Sequence, residues 1–114
     1  MTTIYHNPRC SKSRATLALL EEHGVSPDVV LYLENPPTTD EIALLTKKLG
    51  VGIREIMRSG EAVYKELGAG NPALEDGELT QMVADNPILL ERPIVVNGDR
   101  AAVGRPPENV LEII

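Results

Sequence analysis

Thr2-Thr3-Ile4-Tyr5-His6-Asn7-Pro8-Arg9-Cys10-Ser11-Lys12-Ser13-Arg14 follows the initial methionine. Thr2 to Tyr5 reads as a short strand, and Pro8 bars helix before Arg9. Ser11 or Ser13 can cap a helix running to about His23. Leu17 and Leu20 fall on one face, Glu21 and Glu22 are polar, and Gly24 supplies the stop. Past Pro27, Val29-Val30-Leu31-Tyr32-Leu33 is a continuous apolar run, the pattern of a strand buried on both faces. Strand, helix and strand with short joints form a βαβ unit, so a parallel pair with a right-handed crossover is expected.

Cys10 stands at the joint between the first strand and the helix, and it is the single cysteine of the chain. A thiol there meets backbone N–H groups and the positive end of the helix dipole, both of which favour thiolate. Arg9 and Arg14 lie close in sequence and push the same way. Most free cysteines are buried and inert. The reading of Cys10 as a nucleophile therefore rests on its position rather than its presence.

After the βαβ unit, Asn35-Pro36-Pro37 breaks the sheet. Thr38 and Glu41 form a capping box that opens a helix carrying Ile42, Leu45 and Leu49. Gly50 and Gly52 interrupt it. Ile53 to Met57 and Glu61 to Leu67 read as short helical turns, and Asp76 to Ala84 repeats the helical period through Leu79, Met82 and Val83. Pro93 then introduces Ile94-Val95-Val96, and Asn97-Gly98 predicts a type I′ hairpin with Ala101-Ala102-Val103 returning antiparallel. Gly104-Arg105-Pro106-Pro107 leads into a last helix with proline in its first turn. Val110, Leu111 and Ile114 are its expected apolar face. The layout is βαβ, helical insertion, ββα.

A chain of 114 residues is one domain by length. It can bury about two-thirds of its unfolded surface. With no Phe, no Trp and three Tyr, the core must come from Leu, Ile, Val, Ala and Met. One cysteine excludes an internal disulfide. Seventeen acids against 11 bases give a net charge of −6, which argues against a broad nucleic-acid face. No basic-then-apolar leader opens the chain and no apolar run approaches about 18 residues, so a cytoplasmic protein off the membrane is expected.

Four stretches carry a family resemblance: His6-Asn7-Pro8-Arg9-Cys10, Leu31-Tyr32-Leu33-Glu34-Asn35-Pro36-Pro37, Arg92-Pro93-Ile94-Val95-Val96 and Gly104-Arg105-Pro106-Pro107. Together they resemble the glutaredoxin-coupled arsenate reductase family over nearly the whole chain, and more closely its short chromosomal branch. The resemblance implies an α/β thioredoxin-like fold with a mixed four-stranded sheet. It implies one domain over residues 1–114 with a helical insertion at about 38–90. It places the nucleophile on Cys10 and the oxyanion-binding arginines on Arg58, Arg92 and Arg105. It implies that His6, four residues before Cys10, electrostatically supports the thiolate. Ser11 is a further candidate for the thiolate or the anion, or a plain cap. Arg92-Pro93 matches the position of a cis-proline in such folds.

Guanidinium groups suit a tetrahedral oxyanion because they hold it with forked, charge-assisted hydrogen bonds. The resemblance implies arsenate as substrate, glutathione as co-substrate and glutaredoxin as partner. It implies no bound cofactor, no metal and a monomer. No second cysteine is available to resolve a disulfide, so an external thiol is needed whatever the substrate. Two other readings stand beside this one. A glutathione-dependent thiol oxidoreductase on another substrate fits the Cys10-Ser11-Lys12-Ser13 run. A non-enzymatic RNA-polymerase-binding regulator of the same fold also carries Arg-Pro-Ile, but usually with Cys-x-x-Cys, where this chain has Ser13. A phosphatase-like reductase needs arginine six residues after the cysteine, and Thr16 stands there.

Overall fold

The computed structural model describes residues 1–114. They form two compact units, Met1–Asn35 with Arg92–Ile114, and Pro36–Glu91.

The first unit is a sheet with helices. Its elements are β1 (Thr2–Tyr5), α1 (Ser11–Glu22), β2 (Asp28–Val30), β3 (Ile94–Asn97), β4 (Arg100–Val103) and a closing 3-10 helix, Pro107–Glu112. The strand order is β2-β1-β3-β4. β1 and β2 are parallel, and the β1–β3 and β3–β4 pairs are antiparallel. This is the expected mixed sheet of a thioredoxin-like fold. Ile4 pairs with Val95, and Val95 with Ala102. Directly opposed residues share a face, so these three make a row across the sheet. Leu20 from α1 and Val110 and Ile113 from the 3-10 helix pack on that row. Ile4, Leu20, Val95 and Val110 have no exposed surface. Truncating one of them to Ala costs about 2–5 kcal/mol, the usual range for a fully buried aliphatic.

Three sequence expectations change here. The apolar run Val29–Leu33 is not one buried strand. Only Asp28–Val30 pairs, at the sheet edge, and Val29 is 46% exposed. The His6 N–H donates to Val30 O at 2.9 Å, and the chain then turns, with Glu34 N and Asn35 N both donating to Leu31 O at 2.9 Å. The turn swallows only the Tyr32 ring, which is 1% exposed. An apolar run alone does not separate such a turn from a strand.

The hairpin loop is Gly98–Asp99, because Asn97 closes the ladder opposite Arg100. Gly98 has φ +65° and no non-glycine residue has positive φ. Positive φ at the first central position alone is the sign pattern of a type II′ turn, not I′. At the C-terminus Ile113 is buried and Ile114 is 40% exposed. A 3-10 helix repeats every three residues, so Val110 and Ile113 share a side.

The second unit is helical, and holds the segment expected as an insertion. It contains α2 (Thr39–Leu49), a 3-10 helix (Ile53–Ile56), α3 (Ala62–Glu66), α4 (Asp76–Asp85) and a 3-10 helix (Pro87–Leu89). The capping box forms as read: Glu41 N donates to Thr38 Oγ1 at 3.2 Å and Thr38 N to Glu41 Oε1 at 3.0 Å. Gly50 ends α2 in the left-handed region at φ +71°. Ile42, Ile56, Ala69, Leu79, Val83, Leu89 and Leu90 are this unit's hydrophobic residues of 1% exposure or less. No strand was expected here, but one bridge joins Met57 to Leu90. Arg58 N donates to Leu89 O at 2.7 Å and Glu91 N to Ile56 O at 2.8 Å. That bridge sets Arg58 beside Glu91.

Candidate active site

The loop after β1 is built by its own polar groups. Arg9 N donates to Asn7 Oδ1 at 3.0 Å, an Asx turn. Cys10 N donates to Asn7 O at 3.0 Å, and Arg14 N to Cys10 O at 3.0 Å, the first helical bond of α1. Cys10 is thus the N-cap residue, with the extended φ −92° and ψ 122° such residues adopt. The serines expected as caps do not cap, and no side-chain oxygen does.

The sulfur takes that place. Burial pushes the Cys10 thiol up, but the Ser13 amide, the Arg92 guanidinium and the Lys12 amide outweigh it, and the net shift is downward. Lys12 and Ser13 are the N2 and N3 positions, whose N–H groups a capping oxygen would take. Leaving them to sulfur is how the fold favours the thiolate. The cations acting on the thiol are not the sequence neighbours Arg9 and Arg14. Arg14 Nη1 donates to Pro8 O at 2.8 Å, and its charge acts on His6.

Arg92 stands just before β3 and Arg105 just after β4. Arg105 Nη1 donates to Arg92 O at 3.2 Å and lies 3.9 Å from Cys10 Sγ. The approach depends on Gly104, whose N–H donates to Pro93 O at 2.9 Å. A Cβ on Gly104 would lie 2.5 Å from Thr16 Oγ1 and 2.8 Å from Pro93 Cγ. Thr16 is fully buried, and its hydroxyl donates to Lys12 O at 2.8 Å. The Arg92–Pro93 peptide is cis as expected, and Arg105–Pro106 is cis as well.

His6 is 7% exposed, with Nδ1 2.6 Å from Ser13 Oγ. The same oxygen accepts the Asn7 N–H at 3.0 Å. Burial first, and the Arg14 charge second, hold the His6 pKa below its ordinary value. The imidazole is therefore neutral at pH 7. The expected electrostatic support of the thiolate by His6 would then come from a neutral ring. A neutral ring reaches the cysteine only by fixing Ser13, whose amide faces the sulfur.

Arg58 belongs to the helical unit. Its Nη1 lies 2.8 Å from Glu91 Oε1 and its Nε 3.2 Å from Glu61 Oε2. Burial alone would lower its pKa, but hydrogen bonds to Glu61 and Glu91 raise it. Ser11 is exposed at the first position of α1. Ser13, Thr16 and Gly104 are the positions that sequence reasoning missed. The available signal was spacing: Ser13, Thr16 and Leu20 are the buried residues of α1 and form one helical stripe. No group of three or more His, Cys, Asp and Glu side chains converges anywhere in the chain. No helix is long and apolar enough to cross a membrane.

A capped thiolate flanked by two guanidinium groups can attack, or be attacked by, an electrophile that an anion site holds in place. Comparison with known proteins points the same way. The chain is 55% identical to the uncharacterised protein YfgD of Escherichia coli strain K12, over 97% of this chain and 94% of that one. It is 49% identical to an arsenate reductase of Haemophilus influenzae, over 97% of each. The solved structure of an arsenate reductase from Vibrio cholerae superposes with a TM-score of 0.97 at 51% identity, covering 99% of this chain and 97% of that one. Residues 5–113 match the ArsC family, and the chain belongs to that family.

Proposed function

We propose that this chain reduces arsenate to arsenite with glutathione and glutaredoxin as the source of electrons, in the cytoplasm and as a monomer. The observation that carries the reading is the Cys10 sulfur at the start of α1, its pKa lowered by two amides and Arg92, with Arg105 at 3.9 Å. Arsenate is a tetrahedral dianion near neutral pH. Arg92 and Arg105 would grip its oxygens as forks. Arg58 carries the third anion-binding role, and Ser11 a further contact, on the family resemblance.

The Cys10 thiolate attacks arsenic. An S–As bond forms, an As–O bond breaks, and the protonated oxygen leaves as water. A glutathione thiolate then attacks the Cys10 sulfur. The S–As electron pair goes to arsenic, As(V) becomes As(III), and Cys10 is left in a mixed disulfide with glutathione. A second thiol, delivered by glutaredoxin, takes the glutathionyl group and returns the Cys10 thiolate. Two thiols are oxidised for each arsenic reduced. No metal or bound cofactor enters these steps. His6 acts as a positioning residue, holding Ser13 so that its amide stays on the sulfur.

The test is arsenate reduction coupled to glutathione and glutaredoxin, with wild type and Cys10→Ser. Turnover in wild type and none in the variant is expected. A serine hydroxyl stays protonated at neutral pH and has no base beside it. Turnover that survives in Cys10→Ser, or is missing in wild type, contradicts the reading.

A further inference from the structure

Within the sheet unit a groove of about 290 Å³ borders the Cys10 loop. His6, Pro8 and Arg9 line it on one stretch of chain, and Leu31, Leu33 and Glu34 on the other. Both stretches are held by backbone bonds. Asn7 O receives the Cys10 amide, and Leu31 O receives the amides of Glu34 and Asn35. The lining is mostly apolar, and Leu33 is 41% exposed at its edge.

Arg9 and Glu34 are both exposed, both line the groove, and neither is ion-paired. Opposite charges left apart over an apolar lining match a small ligand that carries an anion and a cation on one short chain. The volume suits one such molecule. The chain holds one cysteine, so the thiol that completes turnover must come from outside.

We propose that this groove holds the thiol co-substrate, glutathione, with a carboxylate facing Arg9 and its ammonium facing Glu34. The assignment rests on the thiol-dependent reading above. Arg9 is the residue before Cys10, so a thiol held here is held on the same loop that carries the sulfur it must attack. Electrostatic recognition of this kind weakens as salt rises.

The full chain, labelled for amide NMR, is titrated with S-methylglutathione, which keeps both charged ends and lacks a free thiol. Saturable shifts in the amides of His6, Asn7 and Arg9 and of residues 31–34 are expected. Binding should weaken about tenfold in Arg9→Glu and in Glu34→Lys, the loss of one charge-assisted contact. Shifts confined elsewhere, no binding, or unchanged affinity in both variants would overturn the assignment. A parallel incubation of wild type with arsenate alone, read by intact mass, separates the two proposals. Groove shifts with neither an arsenic adduct nor glutathione-dependent arsenate turnover leave the groove standing and remove the arsenate reading. Adduct formation and glutathione-dependent turnover without groove shifts remove the groove alone.

Discussion

Arg105 Nη1 lies 3.9 Å from Cys10 Sγ, although the two residues are 95 apart in sequence. The contact is made by the antiparallel hairpin, which returns the chain from β3 to the end of β4. It is kept close by Gly104, which lets that end press on Thr16 of α1.

Arg92 and Arg105 are expected to differ in their effect on the thiol. Arg92 acts on Cys10 both by a hydrogen bond and by its charge. Arg92→Ala should therefore raise the Cys10 pKa more than Arg105→Ala does. The pH dependence of alkylation measures it. In wild type the midpoint should fall below about 8.5, the ordinary cysteine value. Equal midpoints in the two variants would contradict the assignment to Arg92.

Gly104→Ala should destabilise the protein by about 1–3 kcal/mol, the usual cost of overpacking. The added carbon would lie 2.5 Å from Thr16 Oγ1 and 3.0 Å from Thr16 Cγ2. Adding Thr16→Ala removes both of those atoms and should recover part of the loss. Urea unfolding of the single and double variants checks this, and no recovery would show that the Thr16 contact is not the cause.

His6 should titrate below its ordinary value, since burial first and Arg14 second oppose its charged form. Its folded pKa is depressed, so its contribution to stability is complete above the unfolded value of about 6.5 and is lost as pH falls through the folded pKa. Ring-proton NMR against pH reads the titration. Ser13→Ala leaves His6 Nδ1 and the Asn7 N–H without their shared oxygen. It should cost about 1–3 kcal/mol, the range for stranding buried polar groups. It should also raise the Cys10 pKa, which a purely structural role would not do.

Local features carried most of what the sequence revealed. Pro8, the Thr38–Glu41 box and Gly98 each act within a few residues, so the strand, the helix start and the hairpin were readable where they stand. The apolar run through Leu33 reads as one strand because hydrophobicity cannot tell an edge strand followed by a turn from a buried strand. Arg9 and Arg14 read as the thiol's cations because they are near in sequence, while Arg92 reaches it from the segment just before β3. Ser13 looked like a cap. Its hydroxyl instead joins His6 to Asn7, a contact set by the turn at Pro8 that no spacing rule predicts. Arg58 is singled out by the family resemblance alone, and its pairing with Glu91 depends on the Met57–Leu90 bridge in a segment that reads as helical.

The central claim is that Cys10 is the nucleophile and that all covalent chemistry passes through it. Intact-protein mass spectrometry after arsenate and limiting glutathione tests it most directly. Wild type should gain the mass of an arsenic adduct or of one glutathione, mapped to Cys10, and Cys10→Ser should gain neither. An adduct on any other residue, or arsenate turnover in Cys10→Ser, would contradict the account.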